Sequence, residues 1–152
     1  MPITIRPLEP TDEASWRALW ADYLTFYKIP DLDPKTTDNT WAMLTGASDD
    51  VFGFVAEADG TVVGFVTCAL HATTWTPKRV CYLDDLFVAS DARGQGAGRA
   101  LIEAVAARAK ADATDTEEWH RVYWRTAADN TTAQALYDTL AKRTTWIMYE
   151  RD

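Results

Sequence analysis

The run from Tyr82 to Arg108, YLDDLFVASDARGQGAGRALIEAVAAR, most narrows what this chain can become. Leu83, Leu86, Phe87 and Val88 form a short apolar run of strand-forming residues. Ala89 to Arg93 is polar and turn-like. Gly94, Gly96 and Gly98 then alternate with Gln95 and Ala97, and Leu101, Ile102, Val105 and Ala109 follow on one helical face. The order is strand, glycine-rich turn, helix. A helix start offers backbone N–H groups without intrahelical acceptors, at the positive end of the macrodipole. Where glycine removes the Cβ, a phosphate or diphosphate can rest on those groups. Arg93 and Arg99 add formal positive charge on either side. The P-loop pattern GxxxxGK[ST] is absent, and the dinucleotide fingerprint would need a glycine where Arg99 stands. The pattern that remains is Arg93-x-x-Gly96-x-Gly98.

The rest of the chain supplies elements around that unit. Ile3–Arg6 reads as a first strand, and Thr11, Asp12 and Glu13 as helix-start residues. Trp16, Leu19, Trp20, Tyr23, Leu24 and Tyr27 recur at steps of three and four, an aromatic stripe on one side of that helix. Pro30 to Pro34 ends it, and a second short helix is expected over Thr37–Leu44. Val51–Glu57 and Thr61–Leu70 read as strands joined across Asp59-Gly60, a strong hairpin signal. Gly64 marks a bulge or a close backbone approach. His71–Lys78 reads as a loop whose Trp75 either packs on the sheet, the simpler case, or stacks on a substrate. Arg79–Val88, Gly96–Ala113 and Arg121–Thr126 follow as strand, helix and parallel strand. Asn130–Ala141 is the last expected helix and Trp146–Glu150 the last strand. A single domain over residues 1–152 is expected.

Charge and composition exclude whole classes of function. The formal net charge of -8 argues against nucleic acid, which needs a basic face. It suits a cationic substrate through long-range attraction, and equally suits ordinary solubility. No run is long and apolar enough to span a membrane, and the start of the chain has no apolar signal region. A soluble cytoplasmic protein without a membrane partner is expected. Cys68 and Cys81 lack CxxC spacing and read as buried free thiols. His71 and His120 are the only histidines, so no metal site is expected.

Arg93-x-x-Gly96-x-Gly98 after LDDLFV, with VYWRT and then Asn130-x-x-Ala133-x-x-Leu136-Tyr137 downstream, resembles the acyl-CoA-binding pattern of the GNAT superfamily of N-acyltransferases. The resemblance covers nearly the whole chain. It looks closest to the branch of spermidine/spermine acetyltransferases and small histone- or polyamine-acetylating relatives. It implies an α/β (α+β) GNAT fold, a mixed twisted sheet of about six to seven strands flanked by about four helices, with splayed parallel central strands. It implies acetyl-CoA as co-substrate, no metal, a small cationic amine or lysine-containing acceptor, and a homodimer. The backbone at Leu86, Phe87 and Val88 would meet the pantetheine arm, with an N–H near Leu86 facing the oxyanion. Arg93, Gly94, Gln95, Gly96, Ala97, Gly98 and Arg99 would receive the diphosphate, and Asn130 and Ala133 would line the same cofactor.

Transfer from a thioester to an amine needs a neutral amine, a stabilised oxyanion and a proton for the departing thiolate. An alkyl amine with a pKa of about 10.4 needs a base or a pKa-lowering site near neutrality. The resemblance makes Tyr137 the proton donor by the CoA sulfur; its face, shared with Ala133, Leu136 and Leu140, makes core packing the alternative. Asp84 falls where polyamine-acetylating relatives carry a glutamate that contacts the amine. It is one methylene shorter, which favours a water relay over direct proton abstraction, and a salt-bridged structural Asp84 is the open alternative. Asp85 is expected to be structural, bonded to a backbone group or an arginine. Tyr23 and Tyr27 are the further substrate-side candidates. Relatives carry lysine-x-glycine-phenylalanine before the final strand; here Arg143-Thr144-Thr145-Trp146 lacks the glycine. The leading expectation is an N-acetyltransferase acting by direct attack in a ternary complex. The alternatives are an amino-acid or aminoglycoside acceptor, and a non-catalytic acyl-CoA-binding or sensor module.

Overall fold

A computed structural model describes residues 2–110 and 119–152. Five strands lie side by side in chain order: β1 (Ile3–Pro7), β2 (Val51–Ala58), β3 (Thr61–Thr73), β4 (Thr76–Val88) and β5 (Trp119–Tyr123). Neighbours are antiparallel through β4, and β5 joins parallel to β4. The helices are α1 (Glu13–Phe26), α2 (Pro34–Ala42), α3 (Ala97–Lys110) and α4 (Thr131–Leu140). The mixed α/β class holds, with five strands among the described residues rather than six or seven. The expected end of the central helix at Ala113 lies outside the described residues. Among those residues, no helix is long and apolar enough to cross a membrane.

Local chemistry sets the joints. Asp59 and Gly60 both take positive φ, +52° and +77°, the pair a tight hairpin between twisted strands requires. In β3, Ala56 pairs with Gly64 and Glu57 with Val62, so Val63 is the extra residue of a bulge. A Cβ on Gly64 would stand 2.9 Å from the Phe87 carbonyl oxygen, so bulge and close approach are both present. Arg6 clamps the start of α1: its Nη1 and Nη2 donate to Asp12 at 2.8 and 2.7 Å, and its Nε donates to Glu57 at 2.8 Å. The Arg6 hydrogen bond, aided by the Glu9 N–H, holds the Asp12 carboxyl below the usual range against its burial. Asp33 caps α2 by accepting from the Lys35 N–H at 2.9 Å, with Pro34 in the first helical position. That helix therefore starts three residues before the expected Thr37.

The sheet is packed on both faces. Ala56, Val66, Cys68, Leu70, Cys81 and Leu83 meet Leu101, Ile102 and Val105 of α3, with Tyr137 and Leu140 of α4 beside them. Val55, Phe65 and Phe87 meet Trp16, Leu19, Trp20 and Leu24 of α1, with Trp41 and Leu44. The period-two alternation of each strand divides its apolar residues between these faces. Full burial of each such aliphatic side chain contributes about 1.5–3 kcal/mol. Cys68 and Cys81 are free and buried, as expected.

Two sequence expectations are corrected. His71–Lys78 is not a loop: β3 and β4 stay paired out to Thr73 and Thr76. Cross-strand pairing carries this ribbon past the point where burial stops, and Trp75 sits at its tip, 93% exposed rather than packed on the sheet. The expected strand Trp146–Glu150 is also not formed. Residues 141–152 have no regular secondary structure and are exposed throughout. A strand needs a partner edge, and among the described residues none pairs with this segment. Trp146 and Tyr149 are consequently 87% and 91% exposed.

Candidate active site

The parallel pair at the centre does not run its full length. β4 and β5 pair at Arg79 with Trp119, Cys81 with Val122 and Tyr82 with Tyr123, and then part. From Leu83 to Val88, β4 pairs with β3 alone. Among the described residues, the edge of β4 that faced β5 is left without a strand partner, which is the splay implied by the family resemblance. It also explains why β5 stops at Tyr123 and not at Thr126.

Asp84 stands where the sheet is irregular. Thr67 pairs with Asp85 and Cys68 with Leu83, so Asp84 is skipped as a bulge residue. The bulge resets the alternation. Leu83 packs toward α3, while Asp85 receives the Tyr23 hydroxyl at 2.7 Å and the Thr67 hydroxyl. Asp85 is thus a tie between α1, β3 and β4, its partners being hydroxyls in place of a backbone group or an arginine. Burial raises its carboxyl while those two bonds lower it. Asp84 is exposed as a residue, yet burial around its carboxyl raises its pKa, with Arg125 acting in the opposite direction.

Past the end of β4 the chain makes the glycine turn. Gly94 and Gly96 have φ of +80° and +85°, and a Cβ on either would meet no atom within 4 Å. The space over the turn is open, and the backbone there is of the kind glycine adopts without strain. The first bond of α3 runs from the Ala100 N–H to the Gly96 carbonyl at 3.0 Å. The N–H groups of Ala97, Gly98 and Arg99 bond to nothing among the described residues. This cradle fits a diphosphate. At Gly98 a Cβ would make only an ordinary contact with Leu136 of α4, 3.7 Å away, so packing there does not demand glycine. Arg93 is anchored, its Nε donating to the Val88 carbonyl at 3.0 Å and its guanidinium over Phe26 and Phe87 at 5.6 and 5.4 Å. Arg99 reaches Thr139 of α4 at 2.8 Å. Gln95 is exposed on the turn. The side chains of Phe87 and Ala97 are buried in the core, so these two positions offer the site their backbone only. Leu86 and Val88 are half-buried along the open edge.

α4 forms the opposite wall. The Asn130 side chain caps it, accepting from the Ala133 N–H at 3.2 Å, which leaves its NH2 group unused by that bond. Tyr137 is half-buried with its ring edge-on to Trp124, centroids 5.4 Å apart. Its hydroxyl has no hydrogen-bond partner among the described residues. Burial, and then the nearby Tyr27, raise its pKa and keep it protonated. Tyr27, half-exposed at the end of α1, packs on Tyr23 with centroids 4.9 Å apart. The structure therefore brings Tyr27 toward Tyr137, whereas the Tyr23 hydroxyl is committed to Asp85.

Four residues went unrecognised in the sequence. His71 Nε2 lies 2.8 Å from the Tyr123 hydroxyl, and the Tyr123 ring stacks near Tyr82, centroids 4.9 Å apart. Arg125, two residues beyond, contacts Tyr82 and Glu150. The signal available was the parallel alignment of YLDD with VYWR, which puts the tyrosines side by side. A cleft of about 690 Å³ runs along the outer side of β5, lined among others by Trp124, Arg125, Tyr137 and Trp146. It reaches Tyr137 but includes neither Asp84 nor the glycine turn, so the register of β4 and β5, and not this cavity, defines the site.

Known proteins share this fold. The acetyltransferase (GNAT) family model matches residues 15–141. The D-amino-acid N-acetyltransferase HPA3 of Saccharomyces cerevisiae is 34% identical over 152 residues, covering 99% of this chain and 91% of that protein. Among solved structures, AAC(6')-Iy with the bisubstrate analogue CoA-S-monomethyl-acetylneamine superposes with a TM-score of 0.80 at 21% identity, covering 100% and 99% of the two chains. The ribosomal-protein-alanine N-acetyltransferase of Brucella melitensis biovar Abortus 2308 gives 0.74 at 22% identity, covering 99% of each. These structures share the fold. The family match and the whole-length relative go further, and the chain belongs to the GNAT family of acetyl-CoA-dependent N-acetyltransferases.

Proposed function

We propose that the protein acetylates the primary amine of a small molecule, with acetyl-CoA and amine bound together in the β4–β5 splay. One observation supports this reading: β4 and β5 part after Tyr82 and Tyr123, leaving the edge of β4 that runs past Asp84 toward the open Gly94–Gly96 turn without a strand partner among the described residues. The cofactor supplies an activated thioester. The turn from Arg93 to Arg99 seats its diphosphate, and Leu86 to Val88 offer main-chain groups to its pantetheine arm, the N–H near Leu86 polarising the carbonyl. Asn130 and Ala133 border the same channel. Asp84, directly or through a water, holds the ammonium and takes its proton; a carboxyl raised by burial is a stronger base than an ordinary one. Tyr137 returns a proton to the thiolate, and Tyr27 and Tyr23 border the acceptor side.

The acceptor is the finer part of the proposal. A polyamine or lysine side chain suits the net charge of -8. The relative that is 34% identical is named for D-amino acids, and AAC(6')-Iy was solved with an aminoglycoside-derived inhibitor; both favour a small acceptor carrying groups besides its amine. A panel of spermidine, lysine peptides, amino acids and aminoglycosides with acetyl-CoA, followed by thiol release, decides among them. CoA binding without turnover of any amine would overturn catalysis and leave a sensor module. The proposal includes one domain over residues 1–152, a cytoplasmic setting and a homodimer. Ile147 and Tyr149 present apolar surface that a second copy would cover. A monomer mass by light scattering would remove the dimer.

A further inference from the structure

Past the last β4–β5 pair, the two walls of the gap carry opposite charge. Asp84 lies two residues beyond Tyr82 on β4, and Arg125 two residues beyond Tyr123 on the chain leaving β5. The charges sense each other, since Arg125 pulls the Asp84 carboxyl down against the effect of burial. Tyr82, at the same mouth, lies close enough to raise the Arg125 pKa further, after the larger effect of Glu150. A polyamine presents only cations, and Arg125 repels them. An α-amino acid presents an ammonium and a carboxylate on one carbon, the complement of this pair of walls.

Arg125 already holds a carboxylate. Its Nη1 donates to Glu150 Oε1 at 2.8 Å and also lies 2.9 Å from Met148 Sδ. The two side chains are 57% and 73% exposed. An ion pair so open to water contributes little, so another carboxylate can replace Glu150 readily. Guanidinium is suited to the exchange because its planar fork can grip both oxygens of a carboxylate. Beside Arg125, the 690 Å³ cleft carries Trp124, Tyr137 and Trp146, walls for an apolar or aromatic side chain.

We infer that Arg125 is the specificity-determining residue for the acceptor carboxylate, that the acceptor is a zwitterionic α-amino acid, and that Glu150 occupies Arg125 until the substrate displaces it. The inference rests on the acetyltransferase reading above. The amino acid's ammonium loses one proton through Asp84, and its nitrogen attacks the thioester carbon. The C–S bond breaks as the amide forms, the thiolate takes a proton from Tyr137, the second proton lost by nitrogen replaces the one Tyr137 gave, and the carboxylate stays on Arg125.

The test uses the full chain with acetyl-CoA and three probes of one shape: phenylalanine (both enantiomers), phenylalaninamide and phenethylamine. The expected result is at least a 10-fold preference in kcat/KM for one phenylalanine enantiomer over phenethylamine. Arg125→Gln should raise the KM for phenylalanine at least 10-fold and should not raise the KM for the amide or the amine. Arg125→Lys should restore part of the loss, and Glu150→Gln should lower the KM for phenylalanine 2- to 5-fold. An Arg125→Gln enzyme weakened equally on acid, amide and amine overturns the assignment, as does a wild-type preference for spermidine. If no probe and no polyamine releases thiol although CoA binds, the transferase reading itself falls, and this inference with it.

Discussion

The two walls that flank β4 are built to different standards. On the α1 side, Trp16, Trp20, Tyr23, Phe65 and Phe87 form a chain of ring contacts with centroids 5.1–6.3 Å apart, and both Asp85 oxygens are engaged by hydroxyls. On the β5–α4 side, the Tyr137 hydroxyl is unbonded, Arg125 is held by an exposed ion pair, and residues 141–152 lie on the surface. The difference is sharpest at two adjacent residues of one type: Asp85 anchors a helix, and Asp84, left out of the pairing by the bulge, is exposed. A rigid wall fixes the geometry of the reacting edge, and an open wall leaves room for substrate exchange. Substitutions in the closed wall should therefore cost stability, and those in the open wall should cost chemistry.

The largest break expected is Gly96→Asp. It puts a side chain and a negative charge into the open space over the turn, so CoA affinity by calorimetry should fall by about 100-fold or more, close to 3 kcal/mol. Normal affinity in a folded variant would move the diphosphate site elsewhere. Tyr137→Phe comes next. Loss of a general acid should lower kcat by about 100-fold while CoA affinity and Tm hold, because the hydroxyl makes no structural bond. Unchanged turnover would remove the acid assignment. Asp85→Ala tests the closed wall: it strands the Tyr23 and Thr67 hydroxyls at about 2 kcal/mol. Tm should drop by roughly 4–8 °C, with kcat per folded molecule nearly intact. A large fall in kcat at unchanged Tm would make Asp85 part of the chemistry.

The closed wall was far more legible in the sequence than the open one. The spacing from Trp16 to Leu24 determines which residues a helix buries, and Asp59-Gly60 specifies its own turn. The glycine turn is local too, since the conformations of Gly94 and Gly96 need no distant partner. Trp146–Glu150 has the composition of a strand, but composition cannot supply an edge to pair with. His71–Lys78 looked like a loop because its residues are not buried, although pairing alone extends the ribbon there. The site divides in the same way. Tyr137 and Asn130 share one helix, which spacing predicts, while the roles expected of them come from the family resemblance. The exposure of Asp84 depends on a bulge, which is a matter of register between strands, and the Arg125–Glu150 pair joins residues 25 apart in a segment without regular structure.

The smallest effect expected is electrostatic and links the two walls through Asp84. Its carboxyl is raised by burial and lowered by Arg125, so the acid limb of kcat/KM for the amine should lie above the ordinary aspartate value of about 3.9. Arg125→Gln removes the opposing cation, and the limb should move to higher pH. A shift to lower pH, or none, would separate Asp84 from Arg125. Stability runs by the same logic. A carboxyl whose folded pKa is raised disfavours the folded state when ionised, so Asp84 and Asp85 should stabilise the fold as pH falls into the window between their unfolded and folded values. Asp12 acts oppositely: its pKa is lowered by Arg6, so its contribution is complete above the unfolded value and disappears as pH falls through the folded one. Asp84→Asn should thus flatten the mildly acidic part of a Tm–pH curve, while Asp12→Asn should remove the steeper loss at lower pH.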